Sequence, residues 1–246
     1  MAGHSKFKNI QHRKGAQDKK RAKIFTKLIR DISVAAKQGA DPEINPRLKH
    51  AIACAKAHNL PKERIEKAIH AKEHDQNELH EIRYEGFLTD GLAVIVETIT
   101  DNKNRTASDV RSMFNKFGGH MGEQGSASFM YDHLGCIIYP ISICSEDELT
   151  QKALELGASD ITCEHEHYTI YTDVQDFSKC EHALADIYGV ASESYLSWKP
   201  HNLSIVTDEV KAKKLLDFIE ALEHNEDVQN VFPNFDFTDE IIESLQ

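Results

Sequence analysis

A chain of 246 residues with 40% hydrophobic and 28% charged side chains has the composition of a water-soluble protein of one to three domains. No apolar run reaches the roughly 18 residues of a membrane span, and the opening Met1-Ala2-Gly3-His4-Ser5-Lys6 is too polar and basic for a secretion signal. The formal charge of −11 speaks against a polyanionic partner for the whole, but the average hides a division: residues 1–73 carry 18 Lys/Arg against 7 Asp/Glu, and residues 74–246 carry 11 against 33, so a front of +11 is joined to a body of −22.

Residues 1–15 are basic and hold few apolar side chains, which predicts an arm that orders when it meets a partner. A helix is predicted from about Gln17 to Gln38, because Ile24, Phe25, Leu28, Ile29, Ile32 and Ala36 recur at helical spacing. At about 100° per residue the stripe Lys20, Lys23, Lys27 and Arg30 falls roughly opposite and is expected to face solvent. Gly39 supplies the stop. Asn45-Pro46 opens a second helix, with Leu48, Ala51, Ile52 and Ala55 inward, and Asn59-Leu60-Pro61 ends it and begins a third carrying Ile65 and Ile69. The pair resembles a helix-turn-helix only in outline, as many packed helix pairs do.

Residues 73–81 read as a linker. Beyond them the apolar, β-branched run Leu92–Ile99 predicts a strand, Thr106 with Asp109 a capped helix to Phe117, and Ala127–Tyr131 a second strand. Cys136–Ile143 predicts a strand and Ser145 with Glu148 caps a helix to Gly157. Ile161–Glu164 and Tyr168–Thr172 alternate as paired strands, Phe177–Tyr188 is helical, and Ser192–Trp198 is a strand. That order, β-α-β-β-α-β, is ferredoxin-like. Leu203–Val206, Asp208–His224 and Val228–Phe232 add a last β-α-β unit, which with the first completes a second ferredoxin-like sheet. The expected fold is α+β: a basic helical domain with its arm over residues 1–75, a split α+β domain over 82–133 and 201–240, and an inserted ferredoxin-like domain over 134–200.

The candidate polyanion contacts are Lys6, Lys8, His12, Arg13, Lys14, Lys19, Lys20, Lys23, Lys27 and Arg30; over residues 1–31 only Asp18 and Asp31 interrupt 10 Lys/Arg. A solvated helix face is the plain alternative for a lone stripe, but surface helices usually mix both signs. Such cations meet phosphates and carry little sequence information. A weaker second candidate is the turn before the Thr106 helix, with Lys103, Asn104, Arg105, Thr106 and Arg111, where free N–H groups can hold a phosphate; a turn whose Asn side chains bond their own backbone is the competing reading. Cys163, His165 and His167 alternate as strand neighbours of metal-ligating type, without the paired spacing of zinc sites. Gly119, Gly122 and Gly125 lack the Lys-Ser/Thr of a phosphate-binding loop and read as a mobile turn. No catalytic signature stands out, so neither an enzyme, a cofactor nor a metal is expected. The five cysteines, at 54, 136, 144, 163 and 180, are odd in number and without C-x-x-C spacing, which suits a reducing cytoplasm.

Several longer segments resemble the YebC family: Ala2-Gly3-His4-Ser5-Lys6, His12-Arg13-Lys14, Lys23-x-Phe25-Thr26-Lys27-Leu28-x-Arg30, Asp41-Pro42-x-x-Asn45-x-Arg47-Leu48, Asn59-x-Pro61-Lys62, Tyr84-Glu85-Gly86, Thr100 through Thr106, and Gly118-Gly119. Phe7 stands where that family typically has Trp, residues 71–77 lack the glycines usual at the end of its first domain, and residues 87–91 lack its Gly-Pro-Gly-like turn. The resemblance implies a cytoplasmic protein with a helical domain followed by two α+β domains. It also implies a DNA-binding transcriptional regulator; a mitochondrial relative activates translation, so ribosomal RNA or the ribosome is the alternative partner. No membrane partner is expected, and the oligomeric state is open.

Overall fold

The structure, a computed structural model, describes residues 17–71, 79–164 and 166–244, with side chains from Ala22 onward apart from those of Asp239 and Glu243. Helix α1 runs Gln17–Ala35 and tightens into one 3-10 turn, Ala36–Gln38, before Gly39. Helix α2 is Pro46–Ala57 and α3 is Lys62–Ile69. Buried Asn45 joins the first two. Its Oδ1 accepts from Leu48 N at 3.1 Å, capping α2, while its amide donates to Ala35 O at 2.8 Å and Gly39 O at 2.7 Å. One side chain thus satisfies free groups at the end of one helix and the start of the next. The three helices enclose Ile32, Ala35, Leu48, Ala51, Ala55, Leu60 and Ile65. Ile24, predicted inward, is 38% exposed.

Strand β1, His80–Phe87, has no counterpart in the sequence reading, which gave its first residues to a linker. It pairs antiparallel with β2, Ala93–Thr100, over its whole length. Helix α4, Lys103–Lys116, begins three residues earlier than Thr106 because Asn102 is the cap, accepting from Arg105 N at 3.0 Å. The predicted strand Ala127–Tyr131 is instead a helical turn, Ser128–Met130, leading into β4, Tyr131–Pro140; a two-residue strand β3, His120–Met121, takes its place beside β1. The inserted unit continues with α5, Glu146–Glu155, β5, Ala158–Glu164, β6, His167–Asp173, α6, Phe177–Tyr188, and β7, Glu193–Pro200. Its antiparallel sheet has the order β5-β6-β4-β7, the ferredoxin-like arrangement.

The tail holds β8, Ser204–Val206, α7, Glu209–His224, β9, Val228–Pro233, β10, Phe235–Phe237, and α8, Asp239–Ser244. Strand β9 crosses back to β2, so the first sheet is β3-β1-β2-β9, built from both ends of the body. Strand β8 stays out of that sheet and pairs in parallel with β10. Buried Asn234 explains the departure. It exchanges bonds with Ala93 at 2.9 and 3.0 Å and accepts from Ser204 N at 2.8 Å, so the chain leaves β2 there and turns toward β8.

The first sheet packs one face on α4 and α7, where Phe218 meets Phe114 and Phe117 edge-on. Its other face carries Ala93 and Ile95, which with Tyr131, Trp198 and Phe232 seat the inserted sheet. Tyr131 donates to Ala93 O at 2.9 Å, and Trp198 Nε1 to Glu97 Oε1 at 2.8 Å. Beside this contact, buried Glu85 on β1 accepts from the N–H groups of Gly125, Ala127 and Ser128 at 3.0, 2.7 and 2.8 Å. The glycine-rich segment read as a mobile turn is therefore held by a carboxylate. Gly86 follows because a Cβ there would lie 2.6 Å from the Phe114 ring and 2.7 Å from His120 O.

Candidate nucleic-acid interface

Of the ten predicted contacts, Lys6, Lys8, His12, Arg13 and Lys14 lie outside the described residues, as do the side chains of Lys19 and Lys20 in the first turn of α1. The remaining three are half-buried, with their polar ends turned onto the body. Lys23 Nζ donates to His224 O at 3.3 Å, the carbonyl of the last residue of α7, and Lys27 Nζ donates to Gln229 O at 3.2 Å. Arg30 reaches Asp227 Oδ1 at 2.8 Å and Ile99 O at 3.3 Å. The expectation of a solvent-facing stripe is corrected on these grounds. The face opposite the apolar one meets the end of α7 and the start of β9, where the helix-end carbonyl of His224, the strand carbonyl of Gln229 and the Asp227 carboxylate accept from cations. Burial pushes the Lys27 ammonium below the usual lysine range, with Glu223 opposing and Lys23 adding to the shift.

Asp227 is the centre of this contact. At 3% exposed it also accepts from Arg105 Nη2 at 2.8 Å, Thr106 Oγ1 at 2.7 Å and Thr100 Oγ1 at 3.1 Å. Burial pushes its carboxyl up, but Arg105, Thr106 and Arg30 outweigh it and hold it below the usual carboxylate range. The weaker candidate loop is corrected in part by the same hub. Thr106 is fully buried, and Arg105 is bridged between Asp101 at 2.8 Å and Asp227. Lys103, Asn104 and Arg111 stay exposed.

The helical domain presents other cations outward: Lys56 near the end of α2 and Lys62, Arg64 and Lys67 on α3 are exposed. Composition alone marks them, since residues 47–67 carry Arg47, Lys49, Lys56, Lys62, Arg64 and Lys67. Glu63 and Glu66 share the outer side of α3, and Lys62 lies 3.6 Å from Glu66. A short helix of mixed sign does not suit a DNA groove lined by phosphates. Of the suggested metal-ligating set, Cys163 lies one residue before the end of β5 and His167 opens β6, so they lie on two strands rather than alternating along one; His165 lies outside the described residues.

Comparison with known proteins places this geometry. Residues 5–74 match the model of the TACO1/YebC protein N-terminal domain, and residues 79–235 match that of the TACO1/YebC second and third domain. The chain belongs to the TACO1/YebC family. A relative from Rickettsia bellii, named a probable transcriptional regulatory protein, is 55% identical over 100% of this chain and 97% of its own. A relative of the same name from Rickettsia rickettsii is 53% identical over 100% of this chain and 99% of its own. A crystal structure of a conserved hypothetical protein from Aquifex aeolicus superposes with a TM-score of 0.82 at 39% identity, covering 94% of this chain and 96% of that one. The boundary between the two TACO1/YebC models falls at the chain's entry into β1, where the basic front gives way to the acidic body. Among the described residues no helix is long and apolar enough to cross a membrane.

Proposed function

We propose that the protein is a cytoplasmic, nucleic-acid-binding regulatory protein, acting without a cofactor and by binding rather than catalysis. It meets phosphates with Lys6, Lys8, Arg13, Lys14, Lys19 and Lys20 of the arm and the first turn of α1, and His12 of the arm stacks on unpaired bases. The observation that carries this reading is the charge division, +11 over residues 1–73 against −22 over the rest. The acidic body repels a polyanion and confines contact to the front. The names of the Rickettsia relatives support DNA and transcription as the setting. Lys23, Lys27 and Arg30 leave the contact set, since their polar ends hold the helical domain on the body. Reversing them would therefore undock α1 and is not a clean test of binding.

A second reading, an RNA partner such as ribosomal RNA, is favoured by the mixed charges of α3, which leave no clear base-reading helix among the described residues. Fluorescence anisotropy with a DNA duplex and a single-stranded RNA, each titrated at several salt concentrations, tests both. If six to ten phosphates are engaged, affinity falls by about 10³–10⁵ between roughly 50 and 200 mM salt. Changing Lys6, Lys8, Arg13, Lys14, Lys19 and Lys20 to Gln flattens that slope. Unchanged affinity in this variant overturns the assignment of the surface, and the tighter of the two ligands decides between DNA and RNA.

A further inference from the structure

His50 and Cys54 stand one turn apart on α2, so their side chains share a face of the helix. That face meets α6 of the inserted domain. His50 Nε2 lies 3.4 Å from Cys54 Sγ, and His50 Nδ1 lies 3.4 Å from Glu181 Oε1. Glu181 is fixed in turn by the Ser194 hydroxyl of β7, which donates to the same oxygen. The Phe177 ring braces the imidazole edge-on, with centroids 5.8 Å apart. Glu181 is 20% exposed, His50 25%, and Cys54 is partly exposed. A thiol, an imidazole and a carboxylate therefore stand in sequence, each within hydrogen-bonding reach of the next, with a hydroxyl orienting the last. That order is the one that activates cysteine nucleophiles, and nothing in the nucleic-acid reading uses it.

The hydrogen bonds that the ring donates to Cys54 and Glu181 push His50 up to about 10, against burial. A cationic imidazole at hydrogen-bond distance from sulfur is the surrounding in which cysteines become reactive. Acyl transfer would also need N–H donors aimed at the oxygen of a tetrahedral intermediate. Cys54 sits in the interior of α2, and the N–H groups that follow it are spent at the helix end, His58 N on Cys54 O and Leu60 N on Ala55 O. The site suits a small electrophile that carries its own leaving group.

We propose that Cys54 is a peroxide-reactive thiol, a modification site for small hydroperoxides, with His50 as its proton partner and Glu181 as a positioning residue. The sulfur attacks the terminal oxygen of the hydroperoxide. An S–O bond forms and the O–O bond breaks; sulfur is oxidised to the sulfenic acid and the peroxide is reduced. The departing hydroxide or alkoxide takes the proton held between His50 and Cys54 and leaves as water or alcohol. Because the same imidazole meets Glu181 and Phe177 of α6, oxidation of the sulfur alters one contact between α2 and α6.

The test is peptide-resolved mass spectrometry of the full chain after brief exposure to hydrogen peroxide, with dimedone trapping the sulfenic acid. Cys163 is exposed and serves as the internal control, while Cys136 and Cys180, at 4% and 0% exposed, report unfolding. Cys54 is expected to be trapped about tenfold faster than Cys163 despite lower exposure. His50→Gln brings it to the Cys163 rate, and Glu181→Gln gives an intermediate rate with Cys163 unchanged. Equal or slower trapping of Cys54 relative to Cys163 overturns the proposal, as does an undiminished rate in a folded His50→Gln variant. Should either substitution unfold the chain, seen as fast labelling of Cys136 and Cys180, the comparison of Cys54 with Cys163 in the unaltered protein still decides.

Discussion

Glu85 and Asp227 are buried alike, at 1% and 3% exposed, yet they are satisfied by opposite means. Glu85 is held by three backbone N–H groups of one loop and by Arg83 two residues away on its own strand. Asp227 is held by side chains from three separate elements: Arg30 of α1, Thr100 of β2, and Arg105 and Thr106 of α4. Burial pushes both carboxyls up, and in both the partners outweigh it. The first arrangement shapes a loop and loses nothing when domains part. The second loses an arginine whenever the helical domain leaves, so it fastens an assembly. At equal depth, the origin of the partners decides whether a buried charge serves local shape or domain docking.

The largest effect is expected from Asp227→Ala, which leaves Arg30 and Arg105 facing each other without their shared carboxylate. Breaking a buried pair from one side costs about 3–5 kcal/mol. Urea unfolding measures the loss, and hydrogen exchange should locate it in α1 and the first turn of α4 rather than across the first sheet. A cost below about 1 kcal/mol, or protection lost evenly over β1 and β2, would erase the contrast with Glu85.

Acid and base should separate the contacts next. Folded Asp227 and Glu85 are held below their usual range, so their contribution is complete above the unfolded values near about 4 and is lost as pH falls through the folded ones. His50 runs the other way: raised from 6.5 to about 10, its contribution is complete below 6.5 and is lost as pH rises toward 10. Melting temperature plotted against pH should form a plateau from about 4.5 to 6.5 with a slope on each side. His50→Gln should flatten the alkaline side alone, and a slope that persists in that variant would assign the alkaline loss elsewhere.

Much of this architecture was legible from local rules, because it rests on local bonds. Asn45-Pro46, Ser145 with Glu148, Asp208 and Gly189 mark helix ends that the chain itself satisfies, and the β-α-β-β-α-β order needs only alternating patterns. Strand β1 was missed because its charged residues answer to partners distant in sequence: Glu81 to Arg47, Arg83 to the Trp198 ring, and Glu85 to the N–H groups of Gly125, Ala127 and Ser128. Strand β8 was misplaced because Asn234, 30 residues later, diverts it. The stripe on α1 failed for a related reason. Its periodicity located the face opposite the apolar one, but what covers that face is α7 and β9, some 200 residues away, as the separations of 201 and 202 for Lys23 and Lys27 record.

Glu85→Gln comes third. The amide keeps one acceptor and turns an NH2 toward donors that need an acceptor, at a cost of about 1–3 kcal/mol. Limited proteolysis should then cut between Gly119 and Ala127 while α1 stays docked, the reverse of the pattern expected for Asp227→Ala. Cleavage appearing instead near the front of the chain would mean that the loop and the docking surface are not independent.

The smallest expected effect is also the most informative about the front of the molecule. Lys27 loses hydration beside β9 and gains the Gln229 carbonyl at 3.2 Å with Glu223 nearby, so its charge is held at a cost that burial itself imposes. Lys27→Met keeps the length of the stem and removes that cost; stability should stay within about 1 kcal/mol of the starting value or rise. A lysine that contacted phosphate would, when replaced, weaken binding on every sequence and lower the salt slope by about 1. A lysine that only docks α1 leaves both unchanged. Anisotropy on this one variant therefore separates the two uses of a cation on the same helix: an unaltered slope keeps the contact surface in the arm, and a reduced one returns α1 to it.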